Sequence, residues 1–381
     1  MIKKRTANTW FKELSLGGST GRDYCETWFS RDHLGKSGQR YKVDVRAGKT
    51  TDILSFKSNT AENFNSQVSH IKSTRKALFN SGKKNRVKRC PICGASSGNS
   101  KHRLDIYGAR YHQCSTCGHL FVINRPKEPD LKKFYSRNIS YASTYTDKRM
   151  LKMRIEQVVA PKLKWVLETY RALYKRRPRT ILDVGAGGGH FVHASRQLGL
   201  DACGVEVNEA SREFCKKNFG FNLETLDFTK NWRKFPDVDI VTFWGVIEHV
   251  ADPVSLLKTA YRVLSGRQGL LVVEVPRWDS FSTAIQHNFP NSIIRHLDPL
   301  GHINCFTDSS LLTAFENSNF APVAAWYFGM DIYELTMQFS HLLKDKKIID
   351  MLSKHMNSFQ KMIDNGRLSD GMVLAGKAKN G

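Results

Sequence analysis

Residues 180–190 read TILDVGAGGGH, an apolar strand that runs directly into a glycine-rich turn and then a helix. Such a turn lets a ligand come within contact of the backbone and of the helix N-terminus, so this stretch constrains both fold and chemistry. Around it, after Pro178, short β-rich runs alternate with helical segments: TILDVG, DACGVEV, FNLETL, DIVTFW, GLLVVEVP, PVAAWYF and DGMVLAGKA. Buried apolar strands separated by helices of about 10–20 residues predict an α/β fold, a doubly wound and mostly parallel seven-stranded sheet with helices on both faces. Residues 331–364 are helical by pattern and are expected to insert between the last two strands.

The turn indicates what it binds. A dinucleotide fingerprint asks for G-x-G-x-x-G/A; Gly185 and Gly187 fit, but the sixth position is His190, whose side chain hinders a pyrophosphate. Asp183, inside the strand, is not part of the dinucleotide pattern either. The second strand ends at Glu206 in CGVEVN, and a carboxylate at the tip of strand two can accept both hydroxyls of a ribose. The site is therefore expected to take a nucleoside without holding its phosphates.

Ahead of this region, Cys90-Pro-Ile-Cys93 and Cys114-Ser-Thr-Cys117 form two C-x2-C pairs, each followed by glycine (Gly94, Gly118). A tetrahedral zinc ion needs four soft donors, and tight knuckles let backbone amides approach the thiolates. The alternatives are two disulfides or four reduced core cysteines, and neither calls for this doubled spacing. Cys90, Cys93, Cys114 and Cys117 are expected to hold a structural zinc. His112 and His119 flank the knuckles, and Cys25, Cys203, Cys215 and Cys305 show no partner spacing.

Together these residues resemble a class I S-adenosylmethionine-dependent methyltransferase with an N-terminal zinc ribbon. ILDVGAGGG is similar to that family's first motif, GVEVN to its second, and DIVTFWGVIEHVADP to its strand-four segment; DPLGHINCFTDSSLLTAFENSNF and DGMVLAGKA resemble its later stretches. The match covers about residues 176–379. CPICG and CSTCGHLF ahead of such a domain resemble bacterial methyltransferases of sugars and other small metabolites. The resemblance implies a Rossmann-like fold and a donor site for S-adenosylmethionine. That site is expected from Asp183, Gly185, Ala186, Gly187, Glu206, Val207 and Trp244, with Asp227 or its neighbours near the adenine. Gly245 stands where relatives often carry an acid, which weakens any expectation of metal-assisted acceptor binding.

Methyl transfer needs positioning and, where the acceptor must lose a proton, a base. Candidates are Glu248 and His249 after strand four, and His296 and His302 after strand five; a histidine near neutral pKa suits the role, and His302 is the first choice. The competing reading is a buried histidine bonding a carbonyl. Tyr135, Tyr141 and Tyr145, interleaved with Arg137 and Arg149, pack on the catalytic domain or form a lid.

Of the 381 residues, 40% are hydrophobic, which excludes collagen-like, fibrous or wholly disordered readings. No stretch approaches the roughly 18 apolar residues of a membrane span. A basic start without an apolar run behind it is not a secretory signal, so a cytoplasmic location is expected. The net charge of +24 is uneven: residues 1–89 hold 20 Lys/Arg against 7 Asp/Glu, and residues 176–381 hold 23 against 22. A near-neutral C-terminal half thus carries a basic N-terminal half, and its partner is expected to be anionic.

Four parts follow: a basic region of unknown role (1–85), a zinc ribbon (86–125), a helical linker or lid (126–175) and the methyltransferase domain (176–381). Three functions are carried forward. The first is methylation of a small anionic acceptor such as a nucleotide- or lipid-linked sugar. The second is methylation of RNA held by the ribbon and basic half, although WGVIEHV lacks the tetrapeptides common among methylators of base amino groups. The third is a non-catalytic S-adenosylmethionine-binding scaffold.

Overall fold

The computed structural model describes residues 10–20, 23–31, 37–49, 79, 84–127, 129, 146–235, 238–288, 295–299, 301–344 and 347–379. Three strands come first, β1 (Trp10–Thr20), β2 (Asp23–Arg31) and β3 (Ser37–Ala47). In the cysteine module lie β4 (Lys84–Arg86), β5 (Lys101–Ile106), β6 (Ala109–Gln113), β7 (Leu120–Val122) and β8 (Asn124–Pro126). Then follow β9 (Thr180–Val184), β10 (Asp201–Val205), β11 (Ile240–Trp244), β12 (Leu270–Pro276), β13 (Asn304–Cys305), β14 (Phe320–Phe328) and β15 (Gly371–Ala378).

One nine-stranded sheet, in the order β1-β2-β3-β14-β15-β12-β11-β9-β10, organises the molecule. β9 to β12 run parallel and β15 antiparallel to its two neighbours. Of the seven expected runs, FNLETL differs: it contributes a single bridge, Glu224 to Val205, because the chain turns at once into a short helix capped by Asp227. Apolar residues of the strands feed two cores, one on each face. The helix Ala160–Tyr174 covers one face with Leu163, Trp165, Val166 and Tyr170, and the helix Pro253–Leu264 covers the other. Before Pro161 the helix passes through a π turn at Ile155–Val159, which accommodates a proline that cannot donate to the preceding turn. Helices at Asp331–Leu343, Lys347–Ser353 and Met356–Asn365 occupy the interval between β14 and β15.

The boundary expected at residue 85 does not separate two bodies. β3 pairs in parallel with β14, Ala324 opposite Asp44 through Tyr327 opposite Ala47, so the N-terminal strands extend the methyltransferase sheet. The reason is alternation. Along β3 Tyr41, Val43, Val45 and Ala47 are buried while Lys42 and Asp44 point to solvent, so the charges that dominate the composition occupy one face only. Trp28, Phe29, Val43 and Val45 are fully buried. Each such side chain contributes roughly 1.5–3 kcal/mol. Lys12 of β1 forms a buried ion pair with Asp308, and Arg367 pairs with Glu26, tying the added strands to the far side of the fold. Tyr135, Tyr141 and Tyr145 lie outside the described residues.

Candidate active site

The parallel strands β9, β10, β11, β12, β14 and β3 all end at one edge, and the expected site residues gather there. On the donor side the turn after β9 is closed by Gly185 N and Ala186 N donating to Val205 O at 2.8 and 3.0 Å, and by Gly189 N donating to Ala186 O at 2.9 Å. Gly185, Gly187 and Gly189 have φ of 77°, 52° and 76°, a region that disfavours side chains. A Cβ on Gly185 would also lie 2.5 Å from Val246 Cγ2.

Glu206 anchors this turn: one carboxylate oxygen accepts from Gly187 N and the other from Asn208 N, both at 2.7 Å. Each oxygen keeps lone-pair capacity for a second donor, as ribose hydroxyls require. Beside it the apolar Val207 is 55% exposed. Asp183 behaves differently. It is buried and accepts from Thr242 Oγ1 at 2.7 Å, joining β9 to β11, and burial pushes its pKa up to about 7. It therefore shapes the turn rather than facing a ligand. Asp227 accepts from Thr229 N at 3.0 Å and caps the next helix. His190 packs behind the turn on Phe214 and Phe219, with centroids 5.5 and 5.4 Å away. Trp244 ends β11, 5.1 Å from Phe191, and its buried indole N–H has no hydrogen-bond partner among the described residues.

On the other side Glu248, His249 and His302 converge, their ligating atoms within 4.8 Å of one another. His249 Nδ1 bonds Gly301 O, and His302 Nδ1 bonds His296 O at 3.2 Å. A carbonyl can only accept, so both Nδ1 atoms carry the proton, and in a neutral ring Nε2 is then the basic nitrogen. Burial pulls His249 down to about 4 and pushes Glu248 up to about 8; the Glu248 carboxyl is neutral near pH 7. His296 instead bonds Asp370 at 2.8 Å.

The cysteine module holds these loops. β13, directly after His302, pairs with β7 and extends the module's small sheet. Val122 N donates to Ile303 O at 3.1 Å and Tyr111 OH to His302 O at 3.3 Å. Arg125 donates to Ala251 O at 3.0 Å and to Asn304 Oδ1 at 2.7 Å, while Asn304 donates from its backbone to Glu248 O and from its side chain to Val250 O. One buried arginine and one buried asparagine therefore fix both loops. The four cysteines form a single cluster, with Sγ separations of 3.7 Å for Cys90–Cys117 and 3.6 Å for Cys93–Cys114. A tetrahedron of sulfurs about 2.3 Å from zinc has edges of about 3.8 Å, so the cluster fits that ion and not disulfides. Gly94 and Gly118 take φ of 73° and 75°, and Thr116 N approaches Cys114 Sγ at 3.4 Å. His112 bonds Ser100 and His119 bonds Asn304, so neither joins the cluster.

Sequence reasoning missed Arg125, Asn304, Lys162 and Glu274. Lys162 forms an ion pair with Glu274 at the end of β12 and lies 4.8 Å over the Trp244 ring. Glu274 had a signal, a lone acid in the apolar run GLLVVEVP; the others had none.

Residues 132–325, half of the chain, match the family described as a methyltransferase domain. Among curated proteins, the ubiquinone biosynthesis O-methyltransferase of Pseudomonas fluorescens (strain Pf0-1) is 28% identical over 109 residues, covering 27% of this chain and 45% of that one. The corresponding protein of Bordetella avium (strain 197N) is 32% identical over 107 residues, covering 26% and 42%. The chain thus spans under half the length of these curated relatives. Among solved structures, a SAM-dependent methyltransferase from Archaeoglobus fulgidus aligns with 61% of this chain and 100% of its own at 20% identity and a TM-score of 0.38. The plantazolicin methyltransferase BamL, in complex with a desmethyl plantazolicin analogue and SAH, aligns with 66% and 95% at 15% identity and a TM-score of 0.43. With a glycine-rich turn at the strand ends of a doubly wound sheet and that family matched across half its length, this chain belongs to the S-adenosylmethionine-dependent methyltransferases.

Proposed function

We propose that the enzyme methylates a small anionic acceptor, of the class of nucleotide- or lipid-linked sugars and related metabolites, with His302 as base and a structural zinc in the cysteine ribbon. S-adenosylmethionine supplies an activated methyl group when bound. Gly185, Ala186 and Gly187 leave room for it, Glu206 offers both oxygens to its ribose, and Val207 and Trp244 offer apolar surface. Asp227 stands at the next loop toward the adenine, and Asp183 acts through Thr242 by holding β9 against β11. The acceptor's nucleophilic atom has to be held in line with that methyl while water is excluded. Its proton passes to His302 Nε2, with His249 and neutral Glu248 shaping the pocket wall. Cys90, Cys93, Cys114 and Cys117 hold the zinc, whose role is to keep the ribbon folded under the two loops.

The observation that carries the small-molecule reading is the enclosure of the candidate base cluster: Glu248 is buried, and His249 and His302 are half-buried. That setting suits a small acceptor. In the basic half Lys12 is spent on Asp308, Arg46 on Asp23 and Glu168, and Arg125 on loop carbonyls, while Lys42, Lys84, Arg86, Lys88 and Arg89 are exposed. Methyl transfer from labelled S-adenosylmethionine to a panel of nucleotide sugars and to tRNA and rRNA tests this. The expected result is turnover on a small acceptor, with affinity changing by less than about threefold between 50 and 200 mM salt. RNA methylation with a loss of about 10³ or more over that range overturns it. Donor binding without turnover on any acceptor would leave the scaffold reading standing.

A further inference from the structure

We propose that Lys49, delivered to the catalytic edge by the third N-terminal strand, is the residue that binds the anionic group, carboxylate or phosphate, of the methyl acceptor. The proposal rests on the small-molecule reading and supplies its specificity determinant. Because β3 runs parallel to β14, its end meets the edge where β11 and β12 also end. Gly48 N donates to Tyr327 O and Trp326 Nε1 donates to Gly48 O, both at 2.8 Å, so the backbone beside Lys49 is pinned; Gly48 turns the chain there with φ of 82°.

The Lys49 ammonium lies 5.1 Å over the Phe328 ring, in the field of Lys162, Arg154 and Glu274. Glu274 is already paired with Lys162. Burial and the neighbouring cations pull Lys49 down to about 7. Partly desolvated charge without a partner is unfavourable, and an incoming anion relieves it.

The surroundings suit an organic acceptor. Trp244 and Phe328 provide aromatic surface, and the Trp244 N–H awaits an acceptor atom. A cleft of about 360 Å³ opens beside Lys49, lined also by Asp23, Arg46, Lys164, Glu168 and Trp326. Arg46 is occupied by Asp23 and Glu168, and Lys164 approaches Glu168 at 3.8 Å, so Lys49 is the cation lining this cleft that makes no ion pair among the described residues.

The test uses full-length protein loaded with S-adenosylhomocysteine and two probes, inorganic pyrophosphate and benzoate, titrated by calorimetry. Wild type should bind one of them saturably, and which one distinguishes phosphate from carboxylate. Lys49→Gln should weaken that probe at least tenfold, and Lys49→Arg should hold it within about threefold. S-adenosylhomocysteine affinity should stay within about twofold in both variants. Acetylation of Lys49 in wild type, followed by mass spectrometry, needs no variant and should slow at least fivefold when the probe is bound. No binding of either probe to wild type, equal binding to Lys49→Gln, or unprotected acetylation overturns the assignment. Failure of wild type to bind S-adenosylhomocysteine would instead strike at the donor-site reading.

Discussion

The proposed donor and acceptor sides of this protein sit at the same sheet edge but are built in opposite ways. The donor side is local. Its turn, its closing bonds and the Glu206 carboxylate proposed to face the ribose come from residues 180–208, with support from Thr242, Asp239 and Glu224. The acceptor side is a junction of distant segments: Lys49 from β3, Lys162 from a helix, Glu274 from β12, Glu248 and His249 from one loop and His302 from another, the last two clamped by Arg125 of the ribbon. A site made within one segment survives changes elsewhere in the chain. A site made by docking segments depends on every one of them.

The strongest way to break this contrast is to remove residues 1–49. That deletion strips β1–β3 from the sheet, exposes β14, and leaves Asp308 without Lys12 and Arg367 without Glu26. The loss of four fully buried side chains and of these pairs is comparable with the total stability of a domain, about 5–15 kcal/mol. Expression should yield aggregated protein or a melting temperature lower by more than about 10 °C. A soluble truncation that melts like wild type would show that the strands are an appendage after all.

Removing the ribbon's ligands separates the two sides more finely. Cys114→Ser should lose one zinc per chain by elemental analysis and speed amide exchange at residues 302–305, because β13 is held by β7. Turnover should fall at least tenfold while S-adenosylhomocysteine affinity stays within about threefold. Equal losses on both sides would mean that the ribbon supports the whole sheet and not the acceptor loops.

His302→Ala should lower kcat about 100-fold, close to 2.7 kcal/mol, with donor affinity unchanged. His249→Ala alone producing that loss would move the base to the strand-four loop.

The same contrast explains what the sequence made legible. TILDVGAGGGH, CGVEVN and the paired C-x2-C knuckles could be read because each concentrates its chemistry within a few residues, and the resemblance they carry to methyltransferases fits the fold. The 1–85 boundary misled because net charge was counted without the period-two burial of β3, which hides a strand inside a basic segment. Arg125 and Asn304 were invisible because their partners lie 126 and 54 residues away in the chain. FNLETL looked like a strand by composition, yet Asp227 begins a helix before the ladder can lengthen.

The smallest effect expected is at Glu206, and it sharpens the claim that the donor side stands alone. In this structure its carboxylate satisfies Gly187 N and Asn208 N. Glu206→Ala removes a ligand contact and also leaves two amides in need of an acceptor, so a stability cost of about 1–3 kcal/mol mixes with the binding loss. Glu206→Gln keeps one accepting oxygen and the shape of the turn but trades the other for an N–H₂ group that faces an amide donor. It should fold, and it should weaken S-adenosylhomocysteine about tenfold, near 1.4 kcal/mol, as charge-assisted bonds to the ribose become neutral ones. Anion-probe binding at Lys49 should not change by more than about twofold, since Glu206 is not among the residues lining that cleft. Loss of both together in Glu206→Gln would mean that the two sides are coupled through the turn, and the independence argued from their construction would fall.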